Sequence, residues 1–369
     1  MQYRRFLVLP VAVISLSACG DAGTLDVGAP ARHEYSIIGG SKAVDADYPA
    51  VGSLVFKATD PYYGGEIAGF LCTGTLIAPD VVLLASHCID AETIFGPGVT
   101  PTWYFSFALD VTDFAATMVL PAKTYEVKKA LKNPDYNSAD FDTFQGGLGT
   151  FHDIALLFLK TAVTDRTPAV VLGPNDAANI VVDAPVKIIG YGSRDSNYDP
   201  NSTNPDYAGI KYLATSNINE VGATEMQIGD AAPTPQKCHG DSGGPTFLTF
   251  NDTALPAERL IGVTSHAYDQ TDCYRGGVDT RIDPYRGWVD TEMKKGCTDL
   301  VRVSCQGGGA LAVAVVPPPN NGNNNTSTDY INSRAQNDGG CSGSGTASTL
   351  TAFAAGCLLV LARRRSRPG

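Results

Sequence analysis

Positive charge is in short supply: 27 Lys and Arg stand against 38 Asp and Glu, for a formal net charge of −11. A nucleic-acid partner requires a basic face, so no nucleic acid is expected. No segment repeats at a fixed period, which excludes solenoids and propellers. No His or Cys cluster has the spacing of a zinc site, and no cofactor or metal is expected. Long apolar runs are also scarce. Phe6 to Leu16 follows the basic pair Arg4 and Arg5 and is too short to span a bilayer. A second run, Thr346 to Ala362, would reach about 26 Å as a helix, marginally short for a span.

What is present points to a β-rich exported protein. Hydrophobic residues make up 43% of the chain, enough for a sizeable core, and 39 Gly with 23 Pro suit strands and turns more than helices. At 369 residues there is room for two domains, or for one with long appendages.

The chemistry concentrates in Lys237-Cys238-His239-Gly240-Asp241-Ser242-Gly243-Gly244-Pro245. Here a hydroxyl sits among glycines directly after an acid. Glycine lets the backbone turn sharply and brings N–H groups close to a reacting carbonyl. A serine hydroxyl is a weak nucleophile until a base takes its proton, so the stretch calls for a distant His and a group that orients it. Leu84-Ala85-Ser86-His87-Cys88 offers the base. His152-Asp153-Ile154-Ala155-Leu156-Leu157 offers the acid, placed at the start of an apolar strand. Asp142 is the nearest rival but lacks such a strand behind it, and His152 reads as a surface residue.

The order His87, Asp153, Ser242 resembles that of the chymotrypsin-like (trypsin-fold) serine proteases. The resemblance continues, in family order, through Ile37-Ile38-Gly39-Gly40, Cys72-Thr73-Gly74-Thr75-Leu76-Ile77 and Gly190-Tyr191-Gly192. It ends with Gly262-Val263-Thr264-Ser265 and Gly277-Val278-Asp279-Thr280-Arg281. It covers about residues 37 to 296 and implies an all-β fold: two six-stranded antiparallel β-barrels with the active site between them, and a short C-terminal helix. The function it implies is peptide-bond hydrolysis through an acyl-enzyme, with protein or peptide substrates. Ser242 would be the nucleophile, His87 the general base and acid, Asp153 the orienting group, and the amides of Gly240 and Ser242 the oxyanion hole.

The same resemblance makes Ile37 the new N-terminus of an activated zymogen, its α-amino group pairing with Asp241. The residue before that bond is usually basic; here it is Ser36, and Arg32 lies too far upstream. The expected activating protease is therefore not trypsin-like, or the chain is trimmed in stages. The resemblance also pairs Cys72 with Cys88 and Cys238 with Cys273, and proximity suggests Cys297 with Cys305. Substrate-binding positions fall on Gln236, Lys237, His239, Ser265, His266, Ala267 and Gly277. Gln236 stands where trypsin-like members carry an acid, so Arg or Lys specificity is not expected. The Lys237 ammonium is expected near the pocket, favouring acidic or polar side chains. A small or apolar preference stays open, as does a neutral pocket with Lys237 turned to water. His266 and Ala267 replace the family's Trp and Gly. The spacing of His87 from Asp153 exceeds the family's, so 138–149 reads as an inserted loop beside the cleft. Pro284 to Lys295 reads as the closing helix, with Asp283 able to cap it and Trp288 and Val289 packing inward.

The ends of the chain read as export and attachment devices. Residues 1–19 form a lipoprotein-type signal ending in Leu16-Ser17-Ala18-Cys19, with Cys19 lipidated; plain secretion is the alternative. Residues 20–36 form a propeptide and 37–296 the protease domain. Residues 297–340 form a Cys-pair and Gly/Pro/Asn-rich linker. Residues 341–369, with Cys341, the apolar run and Arg363-Arg364-Arg365, resemble myxobacterial surface-sorting tails; a simple membrane anchor is the alternative. The expected location is the cell surface, outer membrane or exterior of a Gram-negative bacterium, with membrane attachment through Cys19, the tail, or both. A non-catalytic binding module on the same fold is the competing function, and the complete set of His87, Asp153 and Ser242 argues against it.

Overall fold

The structure, a computed structural model, describes residues 37–60, 64–193, 208–230, 233–269, 273 and 275–315. The signal, the propeptide, the stretch 194–207 and everything from 316 onward, including Cys19, Cys341 and the tail, lie outside the described residues. Among the described residues no helix is long and apolar enough to cross a membrane.

A two-residue strand, β1 (Ser41–Lys42), precedes the first barrel. That barrel comprises β2 (Val51–Thr59), β3 (Glu66–Ala78), β4 (Val81–Leu84), β5 (Thr102–Ser106), β6 (Thr124–Lys132) and β7 (Ala155–Leu159). It closes in the order β2-β3-β4-β7-β6-β5, every pairing antiparallel. The second comprises β8 (Pro185–Gly190), β9 (Tyr212–Val221), β10 (Glu225–Ile228), β11 (Pro245–Thr249), β12 (Glu258–Ala267) and β13 (Gly277–Arg281). Its order is β9-β10-β13-β12-β11-β8, closed by the pairing of β8 with β9, and β1 adds to the outer side of β9. The expected two six-stranded antiparallel barrels are thus present.

Local patterning explains the strands. In β9 the buried residues Tyr212, Ala214, Ser216 and Ile218 alternate with more exposed neighbours, the period of a strand with one face on a core. All five residues of β7 are buried, because the closing helix covers its outer face. Gly296 of that helix lies so near Phe158 that an added Cβ would sit 3.0 Å from the ring.

The closing helix runs Arg286–Thr298 behind a 3-10 turn, Asp283–Tyr285, that holds Pro284. Val289 is buried and Trp288 packs partly buried against the core. Asp283 does not cap the helix: its carboxylate instead receives both Nε and Nη2 of Arg281, at 3.0 and 2.7 Å.

The linker expectation is corrected at its start. The packed body continues past 296 to residue 315. Cys297 and Cys305 are joined, Leu311 is buried, and Val315 pairs with Leu255. Arg302 is the reason. Its guanidinium enters the protein and meets Asp80 at the β3–β4 turn, with Nε at 3.0 Å and Nη2 at 2.7 Å from Oδ1. The amides of Val303 and Ser304 donate to Oδ2 of the same carboxylate.

Candidate active site

The two barrels meet at Thr73 on β3. Its amide donates to the Ser242 carbonyl at 2.8 Å, and its hydroxyl donates to the Gly240 carbonyl at 3.1 Å. The Gly243 amide donates to the Thr264 carbonyl at 2.7 Å. The turn that carries Ser242 is therefore clamped between the barrels, with Ser242 itself half-buried.

Strand register brings His87 and Asp153 together. β4 pairs antiparallel with β7, Leu84 opposite Ala155. Extended past both strand ends, that register puts residue 87 beside residues 152 and 153. Ser86 secures the junction, its hydroxyl donating to the Ile154 carbonyl at 2.8 Å. His87 Nδ1 then lies 2.6 Å from Asp153 Oδ2, and the His87 amide donates to Oδ1 at 2.9 Å. A carboxylate partner requires the proton on Nδ1, which leaves Nε2 free to accept one. Ser265 donates to Asp153 Oδ2 at 2.7 Å, so the carboxylate is held from both barrels.

Electrostatics follow from this wiring. Burial disfavours the charged imidazole of His87, but the charge and hydrogen bond of Asp153 prevail, and its pKa is raised above 6.5. Burial likewise opposes ionisation of Asp153. His87 and the Ser265 hydroxyl outweigh it, and the pKa is lowered.

The nucleophile turn depends on glycine at two positions. Gly240 has φ +91°, and a Cβ there would lie 2.9 Å from the Gly192 Cα. Gly243 has φ +76°, and a Cβ would lie 2.4 Å from the Thr73 carbonyl oxygen and 3.2 Å from the Ala85 amide nitrogen. The second approach sets the Ser242 turn against the backbone that leads into His87. Among the described residues, the amides of Gly240 and Ser242 donate to no acceptor.

Asp241 is fully buried. The Gly192 amide donates to Oδ1 at 2.8 Å and the Cys238 amide to Oδ2 at 2.9 Å. Burial pushes its pKa up to about 7 even so, and among the described residues no basic side chain bonds to it. The buried Ile37 lies beside this turn through its neighbour: Ile38 bridges Gln236, whose amide donates to the Ile38 carbonyl at 2.9 Å.

The trypsin family model matches residues 37–289. The chain belongs to the trypsin family. It is similar to the trypsin Tyr p 3.0101 of Tyrophagus putrescentiae, 28% identical over 281 residues that cover 73% of this chain and 84% of that protein. Duodenase-1 of Bos taurus is 24% identical over 299 residues, covering 78% of this chain and 97% of its own length. Chymotrypsin-like elastase family member 1 of Macaca fascicularis is 26% identical over 264 residues, with coverage of 69% and 88%. The protease is a serine-type endopeptidase acting on protein or peptide substrates.

Around the site, the protease departs from the sequence reading most at Lys237. Its ammonium was expected to face the pocket. Instead it is buried and donates to both oxygens of Asp279, at 2.7 and 2.8 Å, and to Thr246 Oγ1 at 2.7 Å. An ammonium withdrawn from water needs a counter-charge, and Asp279, fully buried on β13, supplies it. Gln236 is also buried, its side-chain oxygen accepting from the Gly276 amide at 3.1 Å. Gly277 faces Lys237, where an added Cβ would lie 3.0 Å from the lysine Cβ.

His239 is half-buried, its pKa lowered by burial. His266 is no open imidazole wall. Its ring meets Phe144, Phe151 and Phe141 edge-on, with centroids at 4.7, 5.0 and 5.9 Å. Nδ1–H donates to the Ala267 carbonyl at 2.9 Å, and Nε2 lies 3.4 Å from the buried Glu225 carboxylate. Phe141 and Phe144 come from the stretch 138–149, and Gly147 donates to the Tyr268 carbonyl at 2.8 Å. That stretch therefore lies on the end of β12, beside the cleft as expected. His152 is not a plain surface residue: its Nδ1 lies 2.9 Å from the Tyr285 hydroxyl.

Disulfides join Cys72 with Cys88 and Cys238 with Cys273. His87 and His239 each sit near one of these pairs, but sulfurs bonded to each other are not the thiolates that a metal site uses. Sequence reasoning missed Asp279, Glu225 and Thr246. Asp279 was visible inside the Gly277–Arg281 block, but no local pattern marked it as the partner of Lys237.

Proposed function

We propose that Ser242 Oγ attacks the scissile carbonyl while His87 Nε2 takes its proton. The developing oxyanion accepts hydrogen bonds from the amides of Gly240 and Ser242. His87 then protonates the leaving amine as the C–N bond breaks, and a water, deprotonated by the same nitrogen, hydrolyses the acyl-enzyme. Asp153 fixes the imidazole tautomer and stabilises its charged form. The observation that carries this reading is the His87–Asp153–Ser265 chain of hydrogen bonds lying beside a glycine-supported serine turn.

The protease is made as a zymogen, exported, and cut before Ile37. The new α-amino group pairs with Asp241 and orders the oxyanion turn. The buried, cation-poor setting of Asp241 supports this step, because an ionised carboxylate there needs a partner. Gln236 leaves a basic substrate side chain without a counter-ion at that position, which supports a specificity other than Arg or Lys. Attachment runs through lipid at Cys19 before activation and through the C-terminal tail afterwards. Deleting the tail then releases activated enzyme into the medium while zymogen stays with the membrane; equal membrane retention of both forms refutes the arrangement.

The central test is labelling by a serine-directed phosphonate before and after cleavage at Ile37, with the adduct mapped by mass spectrometry. Label on Ser242, increased by cleavage and lost in His87→Ala, is the expected result. Absence of label on the cleaved protein overturns the assignment.

A further inference from the structure

Lys237 lies five residues before Ser242, and its stem runs along Gly277. A Cβ on Gly277 would lie 3.0 Å from the lysine Cβ and 3.6 Å from its Cδ. Beyond that contact the side chain continues away from the cleft. Nζ has three hydrogens to donate. All three find acceptors in the protein interior, in Asp279 Oδ1, Asp279 Oδ2 and Thr246 Oγ1, each within 2.8 Å. Asp279 is held behind the wall by β12: a Cβ on Gly262 would lie 2.6 Å from its Oδ2. The pair carries no net charge wherever its proton resides. What remains towards the cleft is the aliphatic stem of Lys237, the Gln236 carboxamide region and the Ala267 methyl.

We infer that Asp279 is a specificity-determining residue: by holding the Lys237 ammonium behind the pocket wall, it leaves a pocket without net charge that accepts uncharged side chains such as Leu, Met or Gln before the scissile bond. The inference rests on Ser242 as nucleophile and on Gln236, Lys237 and Gly277 as pocket residues. A carboxylate or guanidinium entering this pocket loses its water and gains no counter-charge, a large penalty in a buried site. An uncharged side chain loses only water that its own surface or one amide contact replaces. Removing the Asp279 charge while keeping its shape frees an unpaired ammonium at the same wall, and an acidic substrate side chain becomes its counter-ion.

The experiment uses enzyme cleaved before Ile37 and four peptides that differ only in Leu, Gln, Glu or Arg before the scissile bond. In the wild type, kcat/KM for Leu or Gln should exceed that for Glu and Arg at least tenfold. In Asp279→Asn the Glu-to-Leu ratio should rise at least tenfold. A wild type that prefers Glu or Arg overturns the inference. So does Asp279→Asn with an unchanged ratio and full phosphonate labelling of Ser242. Wild-type protein that takes no label at Ser242 instead overturns the nucleophile assignment, a separate failure. Should Asp279→Asn not fold, native acetylation by acetic anhydride tests the same geometry in the wild type. Lys237 should react at least tenfold more slowly than the exposed Lys42, and comparable rates refute the sequestered ammonium.

Discussion

Substituting Arg302 by Met should cost this protease far more than its position beyond the family match suggests. Arg302 is 7% exposed and Asp80 is fully buried. All five guanidinium N–H groups are used: two on Asp80 Oδ1, two from Nη1 on the Met293 and Gly309 carbonyls, and one from Nη2 on the Ser304 carbonyl. Met fills much the same volume but leaves Asp80 charged and buried, with only the Val303 and Ser304 amides as donors. Breaking a buried pair by removing one partner costs about 3–5 kcal/mol, whereas replacing both partners with apolar residues is often neutral. Arg302→Met should therefore lower unfolding free energy by about 3–5 kcal/mol, while Asp80→Leu with Arg302→Met should recover most of that loss. Guanidinium denaturation followed by tryptophan fluorescence, in a Ser242→Ala background that prevents self-digestion, reads both effects. A single-variant cost below about 1 kcal/mol would falsify the claim that residues 297–315 are part of the folded body.

Three further outcomes are expected. Because the free enzyme needs a neutral His87, kcat/KM should rise with pH through a midpoint above 6.5, the direction in which Asp153 moves the imidazole; a plateau that persists well below pH 6 contradicts it. Ser265→Ala removes a donor from the buried Asp153 carboxylate, a charged hydrogen bond worth about 1.5–3 kcal/mol. It should lower kcat/KM by about tenfold or more with KM little changed, and a change confined to KM is inconsistent with the role. In uncleaved protein Asp241 holds its proton to about pH 7, against an ordinary value of 3.8. Its contribution to stability is present below about pH 4 and lost as pH rises towards 7, because the folded state binds the proton more tightly. Cleavage before Ile37 should flatten that decline in thermal melts, and parallel curves for cut and uncut protein count against the pairing.

Much of the fold and site was legible along the chain. His87, Asp153 and Ser242 stand in an order and in local settings that imply two barrels, and the register of β4 with β7 brings the first two within hydrogen-bond reach. The cysteine pairs were legible for a similar reason, each bridging segments the family order already made neighbours. Side chains whose partners are distant were not legible. His266 read as an isolated replacement for a Trp, yet Phe141, Phe144 and Phe151 surround its ring.

The linear order of residues was enough to determine the barrels, the residues that meet between them and the need for a partner at Asp241, since these follow from strand periodicity and short motifs. Tertiary structure alone decided where Lys237 points, because its counter-ion stands 42 positions away. It alone decided that the segment after 296 docks, because Arg302 answers a carboxylate 222 positions earlier. A buried charge is oriented by whichever opposite charge the fold brings near it, and no local pattern records that neighbour.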